Sequence, residues 1–271
     1  MTDNTNNPAD PCELLESVAD LARDAGRRIL EIYESDFAVQ HKEDRSPLTA
    51  ADMAAHNAIV AGLQVLTPEL PVLSEESKDV PYAERRQWSA YWLVDPLDGT
   101  REFIKRNGEF TVNIALIQGS EPVLGVVHVP VSGLIYKACR GGGSFKQPRD
   151  GEAHPIRVRE RAGEPLVVAG SRSHRGDSLQ HFLGNIGDYE MISMGSALKL
   201  CLVAEGRADI YPRLGPTSEW DTAAAQCVVE EAGGRVTDTD MNILRYNTKD
   251  SLLNPEFLVF GDLQRDWKRY L

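Results

Sequence analysis

Trp92-Leu93-Val94-Asp95-Pro96-Leu97-Asp98-Gly99-Thr100 runs an apolar strand straight into two acids three residues apart, with a proline and a glycine that enforce a turn. Two readings compete. As local structure it is an Asx turn, since Asp, Pro and Gly all form turns. As a site, Asp95 and Asp98 face a common point and bind a hard divalent cation, the Leu97 carbonyl adds a neutral oxygen, and the Gly99 and Thr100 amides face an anion. Three more segments favour a site. Leu73-Ser74-Glu75-Glu76 puts paired acids at the end of another short strand, Thr49-Ala50-Ala51-Asp52 puts one on a helix, and Ser218-Glu219-Trp220-Asp221-Thr222 puts one at a helix start. Each alone reads equally well as a solvated acid or a partner of the helix dipole.

Outward from this stretch the apolar spacing changes period. Leu14, Val18, Leu21, Ala25, Ile29 and Ile32 recur every three or four residues, which predicts an amphipathic helix ending near Tyr33 to Ser35. Asp10, Pro11 and Glu13 open it as N-cap, first-turn proline and capping-box acid. Residues 1–9 read as a loose tail, His41 to Pro47 as a charged connection, and Leu48 to Leu66 as a second helix with Thr49 and Asp52 in its first turns. After Pro71, short β-rich runs at 72–74, 91–94, 110–117, 123–129 and 134–139 alternate with turn residues, which predicts an antiparallel meander. Gly141 to Gly143 has no Gly-Lys-Ser/Thr after it and reads as a hairpin turn. Beyond Pro165, strands at 166–169, near Met191 and at 208–211 alternate with helices at 178–185, 196–204 and 219–232, the pattern of an α/β lobe. The expected units are a flexible tail at 1–9, an α+β lobe at 10–164 and a smaller α/β lobe at 165–271.

Composition excludes several classes of function. The 271 residues carry 41 acids against 29 Lys plus Arg, a net charge of -12, which repels nucleic-acid backbone and anionic lipid. An apolar content of 42% suits a globular chain, and no run approaches the length of a membrane span. The polar amino terminus lacks the apolar stretch of a signal peptide, so a cytoplasmic protein is expected, with peripheral association at the inner membrane left open. Cys12, Cys139, Cys201 and Cys227 are far apart and form no C-x-x-C pair, and are expected to be buried thiols in a reducing cytosol.

Asp95-Pro-Leu-Asp-Gly-Thr100, with Glu75-Glu76 upstream and Trp220-Asp221 before an Ala-rich helix ending Glu231-Ala-Gly-Gly234, resembles the inositol monophosphatase superfamily of magnesium-dependent, lithium-sensitive phosphatases. The likeness spans about residues 12 to 262. Pro71-Val-Leu-Ser-Glu-Glu76, Gly195 to Gly206 and Tyr211 to Thr222 are most similar to the CysQ-type 3′(2′),5′-bisphosphate nucleotidases, which remove the 3′-phosphate of 3′-phosphoadenosine 5′-phosphate.

The resemblance implies an α/β fold: a layered α+β sandwich like inositol monophosphatase and fructose-1,6-bisphosphatase, with amino-terminal helices on an antiparallel sheet and a smaller carboxy-terminal lobe. It implies two or three Mg²⁺ ions on Glu75, Asp95, Asp98, Asp221 and the Leu97 carbonyl. Gly99 and Thr100 would hold the transferred phosphate through their amides. Asp52 with Thr100 would position or deprotonate the attacking water, and Glu75 would hold the ion that activates it. Ser171, His174, Gly195 and Lys199 would contact a small phosphorylated nucleotide, Lys199 as a 5′-phosphate anchor, and Glu219 would lie beside the substrate. The chemistry suits such a site: a phosphate dianion repels a nucleophile unless cations neutralise it. Inositol-1-phosphate hydrolysis on the same metal site, and a non-catalytic binder of nucleotide or metal, remain as alternatives.

Overall fold

The computed structural model describes residues 10–35, 46–77, 80–170 and 176–271. The expected tail at 1–9 and most of the charged connection lie outside them. The first sheet takes its strands in chain order: β1 (Val72–Ser74), β2 (Ala90–Asp98), β3 (Thr111–Gln118), β4 (Glu121–Val129), β5 (Leu134–Cys139), β6 (Gly143–Gln147) and β7 (His154–Pro155). Neighbours are antiparallel with one exception that corrects the expected meander. β1 runs parallel to β2, because the chain between them crosses over through the short helix α3 (Tyr82–Arg85) instead of turning back in a hairpin.

Alternation along β2 sets up the layers, since successive strand residues point to opposite faces. Trp92 and Val94 enter one core with Ile114, Val126 and the helices α1 (Leu15–Tyr33) and α2 (Ser46–Leu66). Tyr91 and Leu93 enter the other, with Ala115, Val127 and the helices α6 (Leu198–Ala204) and α7 (Ala223–Glu231). A sheet buried on both faces explains why its strands are almost continuously apolar. α7 can lie close because residue 125 is glycine: a Cβ there would meet the Ala224 carbonyl at 2.1 Å.

The second sheet, ordered β11-β12-β10-β8-β9, is built from β8 (Leu166–Gly170), β9 (Tyr189–Ser193), β10 (Ile210–Arg213), β11 (Arg235–Asp238) and β12 (Phe257–Phe260). β8 is parallel to both its neighbours, and β12 is antiparallel to both of its own. Its inner face shares the α6–α7 layer, while Leu166, Val168 and Leu258 on its outer face pack against Phe182 and Leu183 of α5 (Asp177–Ile186). The molecule is thus a five-layer α/β/α/β/α sandwich. Among the described residues no helix is long and apolar enough to cross a membrane.

Three local expectations change. The capping segment forms a 3-10 turn at Pro11–Leu14, with the Asp10 side chain accepting from Cys12 N–H at 3.0 Å, before α1 begins. Pro47 falls in the first turn of α2, where its missing N–H breaks no helical bond. Cys12 and Cys139 form a disulfide, so the four cysteines are not all thiols; Cys201 and Cys227 are free and buried. The bridge ties the amino-terminal turn to the end of β5 across 127 residues, a proximity that spacing along the chain does not reveal.

Candidate active site

In a regular strand Asp95 and Asp98 would face opposite sides of the sheet. Here Asp95 pairs with Asn113 and Asp98 with Thr111, so three steps on β2 match two on β3 and one extra residue bulges. The bulge accommodates Pro96, which has no N–H for the ladder, and Leu97 N–H turns back to Asp95 Oδ1 at 3.0 Å. Parallel pairing of β1, closed by Glu75 N–H on the Val94 carbonyl at 3.1 Å, sets Glu75 beside these acids. Asp221 arrives from the other sheet's connections, on the 3-10 turn Glu219–Asp221, where its Oδ2 accepts from Ser218 N–H at 2.8 Å in a capping box. Asp95, Asp98 and Asp221 each offer a carboxylate oxygen within 4.8 Å of the others.

Crowded acids raise one another's pKa. Asp95 is 1% exposed, and its burial, then Asp98, Glu75, Asp221 and Asp52, push it well above the usual carboxylate range. Burial, then Asp98 and Glu76, raises Glu75. Burial and Asp98 raise Asp221 to about 7. Asp52, on α2, is raised to about 8 by burial and then by Glu76 and Glu75, and its Oδ1 is buried without a hydrogen-bond partner. A concentration of hard oxygen donors that repel one another fits a divalent cation of the Mg²⁺, Ca²⁺ or Mn²⁺ class.

Gly99, at φ 99, turns β2 into the short helix α4 (Thr100–Ile104), and a side chain there would meet the Phe110 backbone at 3.2 Å. Thr100 begins α4 and is exposed. Beside the acids lies a cavity of about 140 Å³ lined by Asp98, Gly195, Lys199, Tyr211, Arg213 and Asp221, among others. Gly195 N–H donates to Glu109 Oε2 at 2.8 Å, and a Cβ at 195 would strike Glu102 Cγ at 2.6 Å. Lys199 is buried; its Nζ donates to the Ser196 carbonyl at 2.6 Å and stands 5.5 Å from the centre of the Tyr211 ring. Burial lowers its pKa to about 8, against the pull of Asp98.

The structure therefore gathers Asp52, Glu75, Asp95, Leu97, Asp98, Gly99, Asp221, Gly195 and Lys199 into one neighbourhood. Ser171 and His174 lie outside the described residues. Glu219 is placed elsewhere: it is 1% exposed, does not line this cavity, and its Oε2 accepts from Asn247 N–H at 2.9 Å. The turn that delivers Asp221 points the neighbouring side chain inward. Sequence reasoning missed Ser196, Tyr211 and Arg213. Arg213 had a usable signal, a cation at the end of a strand just ahead of the Asp221 turn; Ser196 had none, because its left-handed φ of 56 is not written in a serine.

Comparison with known proteins bears on this geometry. A family model described as the inositol monophosphatase family matches residues 10–265. A protein of Salmonella typhimurium named 3′(2′),5′-bisphosphate nucleotidase CysQ is 52% identical over 249 residues, covering 91% of this chain and 99% of that one. The protein of the same name from Escherichia coli K12 is 51% identical over the same coverage. The crystal structure of CysQ from Bacteroides thetaiotaomicron superposes with a TM-score of 0.83 at 42% identity, covering 92% of this chain and 97% of that one. An inositol monophosphatase from Zymomonas mobilis superposes at 0.76 with 25% identity, covering 97% of each chain.

Proposed function

The chain belongs to the inositol monophosphatase family, and from that premise we infer that it is a 3′(2′),5′-bisphosphate nucleotidase, a metal-dependent phosphomonoesterase that hydrolyses 3′-phosphoadenosine 5′-phosphate to AMP and phosphate. The observation that carries this reading is identity above one half with nucleotidases of that name along 99% of their length. The acidic cluster and the cationic side chains Arg101, Lys199 and Arg213 that line the cavity agree with it.

Glu75, Asp95, Asp98 and Asp221, with the Leu97 carbonyl, are the residues that would hold Mg²⁺, in the two or three ions that the sequence resemblance implies. Bound there, the cation neutralises the phosphate and lowers the pKa of water. The residues of the chain do the rest. Asp52 accepts the proton of the attacking water, with Thr100 orienting the pair. The Gly99 and Thr100 amides hold the phosphate as the water oxygen bonds to phosphorus and the bond to the 3′-oxygen breaks. At the cavity wall, Arg213 faces the 5′-phosphate, which an inositol monophosphate lacks, and Lys199 holds the turn beside it. The reading also divides the chain into two lobes near residue 164, between the end of β7 and the start of β8, with the substrate at their junction.

Phosphate release from 3′-phosphoadenosine 5′-phosphate, 3′-AMP and inositol 1-phosphate, each with Mg²⁺ and with chelator, tests this reading. The bisphosphate nucleotide should have the largest kcat/KM, and only with Mg²⁺. Faster turnover of inositol 1-phosphate would replace it with the inositol phosphatase reading; binding of the nucleotide without any phosphate release would leave a binder.

A further inference from the structure

Arg85, the last residue of α3, is 1% exposed, and a cation this deeply buried persists only where its partners compensate for lost hydration. Its Nη1 donates to Asn247 Oδ1, and its Nη2 donates to the carbonyls of Lys249, at 3.1 Å, and Asp250. Asn247 Nδ2 returns a bond to the Arg85 carbonyl at 2.6 Å, so the two side chains lock α3 to the 247–250 segment. Asn247 sits in the left-handed region at φ 55 and donates its backbone N–H to Glu219 Oε2 at 2.9 Å. Glu219 opens the turn that ends in Asp221, and its own N–H is held by the Leu252 carbonyl at 2.8 Å. Glu219 Oε1, Arg85 Nε and the Tyr91 hydroxyl are each buried with no hydrogen-bond partner. At its other end Arg85 shares a cavity of about 330 Å³ with Glu75, Trp220 and Asp250.

These hydrogen bonds tie α3, which follows β1 in the chain, to the turn that presents Asp221, and Arg85 lines the same cavity as Glu75. Those two acids lie on segments far apart in the chain; the 219–221 turn packs against β2, but no backbone ladder joins it to β1. A ligand set misplaced by about an ångström loses its cation, so a junction of this kind needs a brace built from side chains. We propose that Arg85 is a positioning residue of the metal site: acting through Asn247 and Glu219, it fixes the Asp221 turn against the β1 end that carries Glu75, and so sets the affinity for divalent cation. The proposal gives Glu219 a role through Asp221 instead of through contact with substrate. It rests on the reading of Glu75 and Asp221 as cation ligands.

Calorimetric titration of the full chain with Mg²⁺ tests it, in the parent, Arg85→Lys and Asn247→Gly, with thermal melting and phosphate release measured in parallel. Glycine accepts a φ of 55, so Asn247→Gly removes the amide that engages Arg85 and keeps the backbone bond to Glu219. Both variants should bind Mg²⁺ about ten-fold or more weakly. At saturating Mg²⁺ their kcat should recover and KM for the nucleotide should stay within about two-fold of the parent. An unchanged Mg²⁺ Kd in either folded variant, including one whose Tm falls, makes the network a stabilising one only and overturns the proposal. Should the parent bind no Mg²⁺, the proposed function fails with it; should the parent bind Mg²⁺ and hydrolyse the nucleotide while both variants match it, the brace alone is wrong.

Discussion

The Ser196 hydroxyl donates to Asp98 Oδ2 at 2.6 Å, and the following amide, Ala197 N–H, donates to the same oxygen at 2.7 Å. Thr111 Oγ1 lies 2.7 Å from the same hydroxyl, and Lys199 Nζ holds the Ser196 carbonyl at 2.6 Å. The turn that faces the cavity is thereby fastened to one of the metal-site acids. Ser196 does this from a left-handed backbone, φ 56, which a side chain adopts at a cost of about 1 kcal/mol.

Ser196→Gly and Ser196→Ala separate the hydroxyl from the backbone. Both remove the bond to Asp98 and should weaken Mg²⁺ binding about ten-fold by calorimetry. Only alanine keeps the strained φ with nothing to offset it, so it should be the less stable of the two by about 1 kcal/mol in denaturant unfolding. Equal stability would show that the turn relaxes when the hydroxyl is lost.

Asp95→Asn should affect activity and stability in opposite senses. Asp95 is buried among Asp98, Glu75, Asp221 and Asp52, all of which oppose its ionisation. A neutral amide of the same shape relieves that repulsion, so in chelator the variant should melt at or above the parent's Tm. Phosphate release should fall about a hundred-fold or more, and Glu75→Gln should behave likewise. Retained activity in either would remove that acid from the ligand set.

Much of this site was legible because its chemistry is local. Asp95 and Asp98 share one strand end, and Glu75, Asp52 and Asp221 each sit in a short recognisable segment, so spacing and resemblance were enough to group them. The helices α1 and α2 were readable from periodicity, since each buries one stripe against a sheet. What escaped depends on distant approach. The Cys12–Cys139 bridge, the parallel pairing of β1 with β2, and the inward turn of Glu219 toward Asn247 are set by packing between segments far apart in sequence. β11 and β12 are four-residue strands whose short apolar runs carry no period long enough to read.

The acids also predict how stability depends on pH. Asp52 and Asp221 have ordinary values of 3.8 and native values near 8 and 7, and Asp95 and Glu75 are raised too, so the metal-free native state holds more protons than the unfolded chain over this range. Stability then falls as pH rises. His128, lowered to about 4 by burial, and His56, also lowered by burial, act in the opposite sense below their ordinary 6.5, and Lys199, lowered to about 8, does so as pH nears 8, which leaves pH 6.5 to about 7 as the clean window. In chelator, Tm should fall across that window, and Mg²⁺ should raise Tm more at its upper end. A flat profile would mean that the acids do not crowd as described.

Lys199 and Arg213 face the same cavity but hold their charges differently, and this separates their roles. The Lys199 ammonium donates to two carbonyls of the turn that clamps Asp98, those of Ser196 and Met194. Arg213 Nη2 donates to the Pro216 carbonyl at 2.8 Å, while its Nε is buried with no hydrogen-bond partner. Arg213 is half-buried on the cavity wall and engages one carbonyl, so its guanidinium is the better placed for an anion, and Lys199 has most of its donors committed to the protein. Arg213→Gln should raise KM for 3′-phosphoadenosine 5′-phosphate about ten-fold and leave KM for 3′-AMP, which has no 5′-phosphate, within about two-fold. Lys199→Ala should lower kcat for both substrates, because the turn loosens around Asp98 whichever is bound. Steady-state kinetics on the two nucleotides decides between them: a KM effect confined to the bisphosphate in Lys199→Ala would make the lysine the 5′-phosphate anchor after all.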